Sequence, residues 1–96
     1  MTDEPLYEDK NIKIDYHPTS GEDHFIEFGS FRYTLARGVL EDFARVPREH
    51  LVGRIETYNS MILGGLGRSD VGIDGLYDAL CQAYAEEGRR IRAYVP

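Results

Sequence analysis

A chain of 96 residues with 42% hydrophobic and 29% charged content has the make-up of one globular domain, spanning 1–96, with a single modest core. Its net charge of −6 lies entirely in residues 1–30, and that acidic third argues against direct nucleic-acid binding, which needs a basic stripe on phosphate. No apolar run approaches the ~20 residues that span a bilayer, and a lone Cys81 forms no internal disulfide, so no membrane and a reducing compartment are expected.

Residues 1–4 read as a frayed start. The segment 1–10 is acidic and polar and lacks the basic lead and apolar centre of a secretory signal, so the expected location is cytoplasmic. Leu6 and Tyr7 are the first anchors. Residues 11–17 alternate: Ile12, Ile14 and Tyr16 point one way, Lys13, Asp15 and His17 the other, as in a half-buried strand. The cluster 18–23, PTSGED, ends that strand in a turn.

Residues 25–35, FIEFGSFRYTL, carry the sharpest signal. Gly29-Ser30 between two alternating runs predicts a two-residue hairpin loop of type II′, with Gly first because φ is positive there. Phe28 then faces Phe31, Glu27 faces Arg32, Ile26 faces Tyr33, Phe25 faces Thr34 and His24 faces Leu35. Ile26, Phe28, Phe31, Tyr33 and Leu35 share the buried face, leaving Glu27, Arg32, Thr34 and an odd Phe25 outside.

After Leu35 the period becomes helical. Residues 36–45 place Val39, Leu40 and Phe43 on one face, with Gly38 marking the strand-to-helix join. Val46-Pro47 breaks the pattern, and residues 47–63 read as an amphipathic helix through Leu51, Ile55, Tyr58 and Ile62. Residues 64–72 are a loop by composition. A helix over 75–87 follows, with Asp74 as its N-cap, Asp70 or Ser69 as earlier candidates, and Gly88 as its left-handed stop. Residues 89–96 alternate again and predict a last strand. The expected fold is α+β: a small antiparallel sheet, made of an N-terminal three-stranded meander plus a C-terminal strand, with two to three helices packed on one face.

No chemical motif stands out. The loop GGLGRSDVG has neither the Lys of a phosphate-binding P-loop nor the third Gly of a dinucleotide fingerprint. Gly65, Gly67, Arg68 and Ser69 ahead of a helix remain a candidate anion or small-ligand site. His17, Glu22, Asp23 and His24 around one turn match no metal spacing and read as a solvated acidic turn, so no metal and no cofactor are expected. Cys81 falls on an apolar helix side, where a thiol is inert. No catalytic residue is assigned.

Seven Tyr and four Phe exceed what a small core needs, and Tyr with Arg is enriched at interfaces. Phe25, Glu22 and Asp23 near the hairpin, and Arg90, Arg92 and Tyr94 on the tail, are the candidate contact residues. The expectation is a small acidic interaction or regulatory protein, not an enzyme. Its partner is another protein or a second copy in a homodimer, and inhibition of a nucleic-acid-handling partner through the acidic third is one form of it. The alternative is a small-ligand or anion-binding domain built on residues 64–72 and Arg68.

Overall fold

The computed structural model describes residues 4–19, 21–58 and 60–94. Four strands come first: β1 (Tyr7–Glu8), β2 (Ile12–Tyr16), β3 (His24–Phe28) and β4 (Phe31–Leu35). They form one antiparallel sheet in the order β1-β2-β3-β4, so each strand pairs with its sequence neighbours. Then come α1 (Val39–Arg45), a 3-10 turn at Arg48–His50, α2 (Leu51–Tyr58), α3 (Ser60–Leu66) and α4 (Ile73–Tyr94). The fold is α+β, with the helices packed against the sheet.

The β3–β4 register is the one the alternation predicts, from Phe28 opposite Phe31 to His24 opposite Leu35. Gly29 has φ 57°, and among the described residues none other than glycine has a positive φ, so Ser30 does not, which is the type II′ pattern with Gly first. Ile12, Ile14, Ile26, Phe28 and Leu35 project from one face into the core. They meet Val39, Leu40 and Phe43 of α1, Leu51 and Ile55 of α2, Ile62 of α3, and Leu76, Ala79, Leu80 and Ala83 of α4. Slipping β3 by one residue would expose Ile26 and Phe28, each worth about 1.5–3 kcal/mol of burial.

Two joins follow from single residues. Gly38 caps α1 at φ 90°, a left-handed turn that lets the chain leave β4 and enter the helix at once. Val46 is extended (φ −74°, ψ 134°) ahead of Pro47, which ends α1. The close approach of α3 to the sheet depends on Gly65. A Cβ there would lie 2.7 Å from the Phe28 ring and 3.0 Å from Phe31.

Five local expectations need correction. The meander has a strand more than expected, because β1 pairs Tyr7 with Ile14 and Glu8 with Lys13. The connecting turn is held by Asp9, whose Oδ1 accepts the Asn11 and Ile12 N–H groups at 2.6 and 2.9 Å. No strand forms at 89–94; α4 runs through to Tyr94, and Val95 and Pro96 lie outside the described residues. Gly88 has no positive φ and does not stop the helix. Glu86 holds Arg89 one turn on and Arg90 at 2.8 Å, the i+3 and i+4 pairs that support a helix. Arg90 also donates to the Pro5 carbonyl at 3.1 Å, tying the last turns of α4 to the chain ahead of β1. Asp74 lies in the first turn of α4 and not at its cap; there it favours the positive helix end and pairs with Arg48 at 3.3 Å. The segment 47–63 is split into the 3-10 turn, α2 and α3, with Asn59 outside the described residues.

Candidate functional site

The sheet has one covered face and one open face. Cross-strand partners on the open face form two rows. One row reads Glu8, Lys13, Glu27, Arg32 from β1 to β4. Its charges alternate in sign, and Arg32 Nε lies 2.6 Å from Glu27 Oε2. The other row reads Asp15, Phe25, Thr34. Phe25 is half-buried on the sheet face opposite the core, in a groove lined among the described residues by strand and turn residues alone. Around it runs a shallow groove of about 380 Å³ bounded by Lys13, His17, Pro18, Glu27, Arg32 and Thr34. The alternating row matters for the charge argument. The surplus acidity of the first third does not gather into a negative stripe here, because Lys13 and Arg32 interleave with it.

The two sheet edges are unlike. β1 is two residues long and is packed by α4, the short, covered kind of edge that resists pairing. β4 is five residues long and closes the other side of the sheet. Its pairing with β3 is regular from end to end, without a bulge.

A second cluster lies on the covered face. His24 is buried, and its Nε2 sits 2.7 Å from Glu87 Oε2 of α4. Tyr16 packs beside it with ring centroids 5.2 Å apart. Burial, then the adjoining Glu87 carboxylate, push the Tyr16 hydroxyl up to about 12. The Glu87 carboxylate facing Nε2 accepts a hydrogen bond from that nitrogen. Nδ1 is buried, with no partner among the described residues. Tyr16, His24 and Glu87 themselves line a cleft of about 350 Å³, with Glu22, Arg37, Glu41 and Ile91 on its other walls. The His24–Glu87 bond ties β3 to α4. The sequence signal for it was parity: His24 faces Leu35 and so shares the inner face, although it adjoins the polar Glu22 and Asp23.

The Gly-rich segment is not one open loop. Gly64, Gly65 and Leu66 belong to α3, and Gly65 is filled against Phe28 and Phe31. The N–H groups of Gly67, Arg68 and Ser69 donate to the carbonyls of Leu63, Gly65 and Leu66. Ser69 Oγ accepts the Val71 N–H at 2.9 Å. Arg68 stacks over the Phe31 ring at 5.7 Å. These three backbone N–H groups are thus bonded within the chain.

The expected contact residues fall into separate places. Phe25 is on the open sheet face. Glu22 is exposed in the β2–β3 turn, 3.9 Å from Arg37, and the Asp23 carbonyl accepts the His17 N–H. Arg90 is tied to Glu86 and Pro5, and Arg92 is exposed near the end of α4. The Tyr94 side chain lies outside what the structure describes. Phe25 and the α4 residues are on opposite sides of the sheet and do not form one surface. Cys81 is half-buried, with Sγ directed at the Ala44 carbonyl. Among the described residues no group of three or more His, Cys, Asp and Glu could hold a metal ion, and no helix is long and apolar enough to cross a membrane. No protein-family model, no curated protein and no solved structure matches the chain.

Proposed function

We propose that this chain is a small non-enzymatic interaction or regulatory protein that acts by contact with another protein, and that the uncovered side of its sheet makes the contact. One observation carries the reading. A regular sheet offers an aromatic ring, Phe25, on the face opposite the core, ringed by charges of both signs. Aromatic residues inside a polar rim are what protein contacts use as anchors. Mixed charge on the open face favours a partner of mixed charge over a purely basic, nucleic-acid-handling surface.

Site-specific photo-crosslinking in the producing cell tests this. A benzophenone amino acid at position 25 is expected to give discrete protein adducts. The same probe at Gln82, exposed on α4, should give none of them. Identical adduct patterns at the two positions would refute the assignment of the sheet side.

A further inference from the structure

We propose that the β4 edge pairs with a second copy of the chain, antiparallel about a two-fold axis, so that two sheets join into one. This goes beyond the contact reading above, which concerns the sheet face, and uses the edge.

The direction of the backbone groups can be read from the ladder. His17 N–H donates to the Asp23 carbonyl, so in the β2–β3 pair the odd-numbered residues of β3 exchange hydrogen bonds with β2. His24, Ile26 and Phe28 therefore bond β4, through Leu35, Tyr33 and Phe31. By the same alternation the N–H and C=O groups of Arg32 and Thr34 point away from β3, towards the open side of β4. The usual protections of such an edge are a bulge, a proline, a charged side chain or a covering element. β4 has no bulge or proline, and Arg32 is its one charged residue.

Self-pairing fits this strand in one register. An antiparallel two-fold that uses all of Phe31–Leu35 must be centred on Tyr33. Arg32 then faces the second copy's Thr34, so each outward N–H meets an outward C=O. The parity is right, and no charge faces its like. Centring on Arg32 would oppose two guanidiniums, and centring on Thr34 would push part of the strand past its partner's end. In the Tyr33 register the charge row from Glu8 to Arg32 ends against a neutral threonine. Half-buried Tyr33 meets its own copy on the inner face.

Sedimentation velocity from micromolar to sub-millimolar concentration tests the proposal. The wild-type chain is expected to reach twice its 11.0 kDa mass. Thr34→Pro removes one outward donor per copy and none from the β3–β4 ladder. It should weaken association by about 100-fold, two bonds at roughly tenfold each, with an unchanged circular dichroism spectrum. A second variant guards against misfolding. At the axis residue 33 faces itself with Cα atoms about 4.5 Å apart, within disulfide reach. Tyr33→Cys in a Cys81→Ser background should oxidise to a covalent dimer, and Thr34→Cys should not. A monomeric wild type at every concentration, a Thr34→Pro chain as dimeric as wild type, or equal oxidation of the two cysteine variants would overturn the pairing. A monomer that still gives adducts at position 25 would overturn self-pairing and leave the contact reading standing.

Discussion

Gly65 is the point where the packing account is most exposed to measurement. It lies in α3 and is buried, whereas its neighbour Gly64 is exposed with nothing near its missing side chain. A methyl at 65 would stand 2.7 Å from Phe28 Cε2, 3.0 Å from Phe31 Cγ and 3.1 Å from Phe28 Cζ. Phe28 is only 1% exposed, so its ring has no room to swing. Overpacking of this kind costs about 1–3 kcal/mol. The alanine returns up to about 1 kcal/mol of helix propensity. Gly65→Ala should therefore lose about 1–2 kcal/mol, a fall in Tm of roughly 5–10 °C for a domain of this size. Gly64→Ala has the propensity gain without the clash and should hold or raise stability by up to about 1 kcal/mol. Urea denaturation of both variants, with m-values compared, checks the pair. A Gly65→Ala chain as stable as Gly64→Ala would refute the argument that the missing Cβ sets the helix-to-sheet distance.

Two further outcomes follow from the buried cluster. Glu87→Ala leaves the His24 Nε2–H buried without an acceptor and should cost about 1–3 kcal/mol; His24→Phe added to it should recover part of the loss, because both partners are then gone. A double-mutant cycle by urea denaturation measures this, and an additive double variant would contradict the tie. Tyr16 holds its proton up to about 12 in the folded chain against 10.0 when unfolded, so its contribution is fully present below pH 10 and is lost as pH rises from 10 towards 12. Urea midpoints over that range should fall more steeply for wild type than for Tyr16→Phe.

The hairpin was legible because two signals agreed: period-2 alternation and a Gly-Ser loop that admits only one register. The same register contained the place of His24, opposite Leu35, but its acidic neighbours in sequence suggested a solvated turn. What buries it is Glu87, 63 residues away, and separation of that kind leaves no local trace. The tail misled for a related reason. RRIRAY alternates as a strand does, while its helical support comes from Glu86, outside the alternating window. β1 was missed because two residues are too few to show a period. The Gly-rich run looked like a loop by composition, yet Gly65 is a packing glycine whose reason is the Phe28 ring across the core.

Amide hydrogen exchange at Arg32 and Thr34 over a concentration series tests the central claim most directly, because these groups face outward from β4 and are protected only when a strand is paired there. The account predicts that their protection rises with protein concentration, while Phe31, Tyr33 and Leu35, bonded to β3, stay protected throughout. Arg32 and Thr34 exchanging at the rate of an open chain at every concentration would contradict it.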